Sequence, residues 1–289
     1  MTADAPLEVV DPHVHVWDLR TRLYPRRERQ RDAGDATIGD YLLEDLLADA
    51  GPVRLAKAVH IEAFPTDGLA EVRHVMALAN ASASDVLRGI VAHADLAAPG
   101  VGEQLQQLAN FPLVRGVRHA LNRSGDTRSL LDEPDWRAGF GLLAQHGLSF
   151  ELQLSPPQAE KAAELIARHG SIPVALNHMG WPKDRDLQGW RAWRHGLRTL
   201  ARIDHVWVKI SGPGMFDPAW TVESVKPYAF EALEAFGVER AMFASNFPVD
   251  RRWSSYARVW ESFAEIVASL RADQQSRLLR GNAETFYRI

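Results

Sequence analysis

The apolar positions of this chain fall into two alternating kinds of run. Short stretches rich in Val, Ile, Leu and Phe recur at 7–11, 55–61, 87–93, 114–118, 148–154, 172–178, 205–211 and 241–245. Between them lie longer stretches with helical spacing, at 70–81, 136–146, 157–169, 190–203, 222–236 and 256–270. Side chains repeat with period two along a strand and 3.6 along a helix, so the pattern predicts strands and helices in succession. Eight strands with intervening helices predict an α/β fold of parallel strands, closed as a (β/α)8 TIM barrel.

Two connections break the rhythm. Segment 18–52 is too long for an ordinary βα loop, and it joins a basic, proline-containing piece to a helix-like stretch at 38–50. A loop of that size after the first strand reads as a lid. Segment 96–113 places Pro99, Gly100 and Gly102 ahead of a short helix with ill-defined ends. The closing Gly-Asn-Ala-Glu-Thr-Phe-Tyr at 281–287 predicts a terminal helix packed on the barrel. Neither a Gly/Ser-rich linker nor a repeat beyond the βα alternation divides the chain, so residues 1–289 are read as one domain.

Composition narrows the partners. A chain of 289 residues with 46% hydrophobic and 24% charged residues can bury a large core. Its net charge of −4 supplies no footprint for nucleic acid, and the basic run at 20–31 is interrupted by acids. Cysteine is absent, which removes disulfide and thiolate chemistry and makes a cytoplasmic setting natural. No run approaches the roughly 18 apolar residues of a membrane span. The expected partner is therefore a small molecule, with a homo-oligomer left open.

In a barrel, catalytic side chains sit at the C-terminal ends of the strands. His13 and His15 end the first apolar run, and their spacing points both rings to one face, where they can grip a metal or hold a substrate carboxylate. His60 with Glu62, and His93 with Asp95, repeat that spacing; Glu62 is the stronger candidate, because a carboxylate after an apolar run needs solvent or a partner. Arg118 ends strand four and could fork onto a carboxylate or lactone oxygen. In Ser149-Phe-Glu-Leu-Gln-Leu154 the alternation sends Glu151 and Gln153 inward and Leu152 and Leu154 outward. His178 ends strand six. Lys209 in strand seven suits either a substrate anion or a buried ion pair. Strand eight runs into Ser245-Asn246-Phe-Pro-Val-Asp250. Of the aromatic residues, Trp17, Tyr24, Trp181, Phe216, Trp220, Phe247 and Trp253 belong to loops expected at the mouth, whereas Trp136, Trp190, Trp193, Trp207 and Trp260 read as core or helix packing.

The ordered set Asp11-Pro-His-Val-His15-Val-Trp-Asp18, Arg115-Gly-Val-Arg118, Asn177-His-Met-Gly-Trp-Pro182, Val208-Lys-Ile-Ser-Gly212, Met242-Phe-Ala-Ser-Asn-Phe-Pro-Val-Asp250 and Gly281-Asn-Ala resembles the amidohydrolase superfamily nearly end to end. Within it, the likeness is to the amidohydrolase-related group that includes 2-pyrone-4,6-dicarboxylate lactonase and L-fuconolactonase. The resemblance implies a (β/α)8 fold and hydrolysis of an ester or lactone of a small, carboxylated or sugar-derived compound. It maps His13 and His15 to the strand-one pair, His178 to the strand-six histidine and Arg118 to an arginine suited to an anionic substrate. Asn246 stands where the superfamily usually has a metal-binding, water-activating aspartate. A carboxamide is neither a general base nor a good ligand for such a cation, so the cofactor is either absent or one Zn2+ or Mn2+ held by His13, His15, Glu151 and His178.

The expected catalytic set is His13, His15, His178, Asn246 and Asp250, with Glu62, Arg118, Glu151, Gln153 and Lys209 on the substrate. A carboxylate among Asp250, Glu62 and Glu151 would activate water while the histidines stabilise the oxyanion. Two other readings stand beside this one. A decarboxylase of the same superfamily would usually keep the strand-eight aspartate and would release carbon dioxide. A barrel that only binds a small ligand would turn over no lactone.

Overall fold

The computed structural model describes residues 6–35, 38–122 and 129–289. Eight strands, β1 (Glu8–Val14), β2 (Arg54–Ile61), β3 (Leu87–His93), β4 (Val114–Arg118), β5 (Ser149–Leu152), β6 (Val174–Leu176), β7 (Val206–Ile210) and β8 (Ala241–Phe243), pair in chain order, each parallel to the next. The last strand returns to the first: His15 N–H donates to Phe247 O at 2.7 Å and Asn246 N–H to His13 O at 2.9 Å. The fold is the expected (β/α)8 barrel.

Strand alternation divides the apolar residues. Val9, Val14, Ile90, Val117, Phe150, Leu152 and Phe243 face the helices, where they join Trp136, Trp193 and Trp260. Full burial of a Phe or Leu there stabilises by roughly 1.5–3 kcal/mol each. Val10, Val59, Ile61, Val91, Ala175 and Met242 form a second cluster inside the barrel. The helix Asn282–Tyr287 closes the N-terminal end of this inner cluster with Ala283, Phe286 and Tyr287. Trp207 packs there against Phe286, with ring centroids 5.6 Å apart.

Several boundaries differ from the sequence pattern, each for a local reason. β1 runs on to Val14 because Asp11-Pro-His sits in a register shift, a place where a strand tolerates proline. β5, β6 and β8 are shorter than their apolar runs, since the residues beyond them leave the ladder to form the site. Only Leu43–Ala50 of the 38–50 stretch is helical. Ahead of it a second helix, Pro25–Asp32, begins on its proline, where a missing N–H costs nothing. The uncertain 96–113 segment contains the helix Val101–Ala109. The first loop is pinned over the mouth by Trp17 and Tyr41, which exchange backbone hydrogen bonds of 2.8 and 2.9 Å.

Candidate active site

The C-terminal mouth opens into a cavity of about 670 Å3. His15, Arg118, Gln153, His178 and Asn246 line it, with Trp17, Tyr24, Trp181 and Trp253. Of the other aromatic residues placed at the mouth, Phe216 packs edge-on against Trp181, Phe247 lies behind against Tyr256, and Trp220 packs on the outer core.

Backbone strain brings the two key polar residues inward. After β6 the chain turns through His178, Met179, Gly180 and Trp181 at φ of +50°, +54°, +76° and +67°. Asn246 has φ +61°. Non-glycine residues in this region are costly and collect at functional sites. His178 Nδ1 lies 2.8 Å from Ser211 Oγ, which fixes the ring and leaves Nε2 for the cavity. Asn246 Nδ2 donates to Asp250 Oδ2 at 2.6 Å, leaving the carboxamide oxygen as its acceptor. Gly212 sits between them: a Cβ there would stand 3.0 Å from His178 Nδ1 and 3.5 Å from Asn246 Nδ2.

The histidines lie side by side, with ring centroids 5.1 Å apart for His13 and His15 and 4.6 Å for His13 and His178. Burial drives all three far below the usual imidazole range, and the neighbouring cations Lys209 and Arg118 push the same way. They are neutral at pH 7, and for His15 and His13 the partner sets the tautomer. His15 Nδ1 is 2.7 Å from Ile61 O, so it carries the proton and Nε2 accepts. Lys209 Nζ is 3.5 Å from His13 Nδ1, which places the proton of His13 on Nε2.

Below the cavity lies a charged layer. Lys209 Nζ is 2.6 Å from a Glu151 oxygen and donates to Pro12 O at 2.9 Å. Asn177 and Tyr287 also donate to Glu151. Burial lowers the Lys209 ammonium to about 8, with Glu151 opposing. Glu151 and Lys209 thus form a buried ion pair, which settles the choice left open for Lys209 and removes Glu151 from the cavity. Glu62 is likewise spent: Arg118 Nε donates to its carboxylate and Nη2 to its backbone oxygen, both at 2.6 Å. Burial works against the Glu62 charge, but Arg118 outweighs it and holds the carboxyl below its usual range. Arg118 Nη1 donates to Gln153 at 3.0 Å, and two guanidinium N–H groups are left for the cavity.

Two further expectations change. Asp250 does not line the cavity but stands behind Asn246, accepting also from Gly214 N–H at 2.9 Å, and burial raises it to about 7. Its hydrogen bond from Asn246 Nδ2 fixes the orientation of that carboxamide. His60 turns away from Glu62 toward Glu71 at 3.7 Å, and Asp95 is exposed beside His119, so neither histidine–carboxylate pair joins the site. Asp11 and Ser211 stand in the strand-one and strand-seven motifs, but nothing in the sequence marks them as partners of the site residues. Asp11 accepts from His13 N–H and Ser245 N–H at 3.1 Å each and from Tyr256 OH at 3.0 Å, tying β1 to the strand-eight turn.

The side chains present do not make a metal centre of the expected kind. Glu151 is committed to Lys209, and an ammonium adjoins His13. Among the described residues no group of three or more His, Asp or Glu side chains is placed to hold one ion.

A parallel eight-stranded barrel with a His-x-His pair, a strand-six histidine and a polar mouth defines a hydrolase of the amidohydrolase type. Residues 10–289 match the amidohydrolase family model, and the chain belongs to that family. It is 39% identical over 297 residues to an uncharacterised protein of Sinorhizobium fredii, covering 98% of this chain and 99% of the relative. It is 29% identical over 295 residues to an L-fucono-1,5-lactonase of Burkholderia multivorans, covering 97% and 96%. The structure of a Burkholderia multivorans amidohydrolase with bound zinc superposes with a TM-score of 0.85 at 26% identity, over 97% of this chain and 99% of the other. No helix among the described residues is long and apolar enough to cross a membrane.

Proposed function

We propose that the protein hydrolyses the ester bond of a small lactone that carries a carboxylate, using His178 as the general base. The observation that carries this reading is a neutral imidazole, its Nδ1 held by Ser211, facing the same cavity as Asn246 and Arg118. The substrate carboxylate rests on the two free N–H groups of Arg118. A water held by Asn246 Oδ1 and His178 Nε2 gives its proton to the imidazole as its oxygen adds to the lactone carbonyl. The bond from that carbon to the ring oxygen then breaks, and the imidazolium returns the proton to the departing oxygen. One water is consumed and a hydroxy acid is released. The field of Arg118 and Lys209, which already acts on His178, stabilises the developing oxyanion. His13 is fully buried and does not line the cavity, so it supports the other rings from beneath.

The base is a histidine here because no carboxylate lines the cavity among the described residues except Asp40, which lies in the first loop. No step is assigned to a metal. A panel of carboxylated lactones assayed by acid release tests the proposal. Turnover without carbon dioxide is expected, and His178→Asn should lower kcat/KM roughly 100- to 10,000-fold. Dialysis against a chelator should leave kcat/KM within about twofold, whereas a loss restored by Zn2+ or Mn2+ would return His13, His15 and His178 to duty as ligands. Full turnover by His178→Asn would remove the assignment.

A further inference from the structure

The cavity wall carries an excess of positive charge that the chemistry just described does not use. Five of its lining residues are arginines, Arg26, Arg27, Arg118, Arg251 and Arg252, against one carboxylate, Asp40. Three of the five are matched: Arg118 by Glu62 at 2.6 Å, Arg251 by Asp49 at 3.4 Å and Arg252 by Asp35 at 2.7 Å. Arg26 and Arg27 form no ion pair with a described residue. Both stand in the first turn of the helix Pro25–Asp32, in the long loop over the mouth.

Arg27 is the better built of the two. Its guanidinium carbon lies 3.5 Å from the centroid of the Trp17 ring, a stacked arrangement that fixes the plane of the fork. Its Nε is buried and has no hydrogen-bond partner. Burial pulls its pKa down to about 10, with Glu62 and Glu71 near enough to oppose this. A buried guanidinium donor without an acceptor is costly to leave unpaired, and a planar, rigid fork is the geometry that carboxylates, sulfonates and phosphates accept. Arg27 and Arg118 line the same cavity, and His15 lines it with them.

We infer that Arg27, stacked on Trp17, is a second anion-binding subsite, and that the substrate carries two anionic groups, one on Arg118 and one on Arg27. This rests on the lactone reading for the reacting bond but not for the binding of the anions. The long first loop then has a chemical purpose: it brings the second cation to the mouth. Arg26 adds long-range attraction, which salt screens, while Arg27 makes the contact.

Binding without turnover separates this inference from the reaction. The probes are the saturated dicarboxylates from succinate to adipate and the monocarboxylate butyrate, titrated calorimetrically into the full chain at low salt and pH 8. The best dicarboxylate is expected to bind at least tenfold tighter than butyrate. Arg27→Gln should shrink that ratio to within about twofold while leaving butyrate affinity unchanged, and Arg27→Lys should fall between, since it keeps the charge but loses the fork. A wild-type ratio near one, or a ratio that survives Arg27→Gln, would overturn the subsite. If lactones prove inert while the ratio still depends on Arg27, the subsite stands and the hydrolase reading falls. If lactones are turned over and Arg27→Gln changes neither ratio nor KM, the reverse holds.

Discussion

At the scale of single residues, burial decides the charge states. His178 is neutral because its site is buried and cationic, so on the proposed mechanism the base is ready at pH 7 and is lost only when the imidazole is protonated. Its pKa lies well below 6.5, so kcat/KM should stay level through neutrality and fall only at more acid pH. Asp11 carries the opposite sign. Burial raises its pKa from 3.8 to about 6, so the folded state holds a proton that the unfolded chain has released. Its stabilising contribution is complete below about pH 4 and is lost as pH rises to about 6, on the order of 3 kcal/mol in total. Asp11→Asn keeps an oxygen for His13 N–H and Ser245 N–H and an amide for Tyr256. Urea unfolding from pH 4 to 7 should therefore show the variant gaining on the wild type up to about pH 6 and then running parallel. A constant difference across that range would mean that Asp11 is ionised in the fold throughout.

Among elements, close approach outweighs propensity. Gly139 lies inside the helix Pro134–Leu142, where alanine ordinarily stabilises by up to about 1 kcal/mol. A Cβ there would stand 2.0 Å from Leu96 O, a backbone atom of the connection after β3. Separating them means moving the helix off the barrel, so Gly139→Ala should destabilise by roughly 1–3 kcal/mol in spite of its helix preference. A rise in Tm would show that the helix can shift freely. The same scale explains the strand ends. β6 stops at Leu176 because His178 must turn into the cavity, and a periodicity of apolar residues carries no mark of that left-handed turn.

Across the whole molecule, the charged layer links the two ends of the barrel. Tyr287, from the terminal helix, donates to Glu151, Glu151 pairs with Lys209, and Lys209 adjoins His13 under the cavity. The ring of Tyr287 lies 5.2 Å from the Lys209 ammonium. Tyr287→Phe keeps the packing but removes one donor from a fully buried carboxylate, which should cost roughly 1–3 kcal/mol in denaturant unfolding. An unchanged midpoint would mean that Lys209 and Asn177 satisfy Glu151 without it.

The sequence by itself determined the barrel, the inward set on β5, the terminal helix and the strand ends that meet at the mouth. These follow from local rules: side-chain period, proline and glycine placement, and polar residues closing apolar runs. It also singled out His15, Arg118, His178 and Asn246, which line one cavity, and His13, whose ring lies beside those of His15 and His178. What only the tertiary structure decided is which partner each polar group takes. Glu62 and Glu151 look like free carboxylates along the chain, yet Arg118 and Lys209, from strands distant in sequence, occupy them. Asp250 was legible as a carboxylate four residues past Asn246, but the turn after β8 places it behind the carboxamide. Arg27 was hidden in the basic run at 20–31, within a segment that reads as a lid and whose separate arginines carry no mark of where they point. Pairing across a barrel depends on distances between strands, and those distances leave no trace in the order of residues along any one of them.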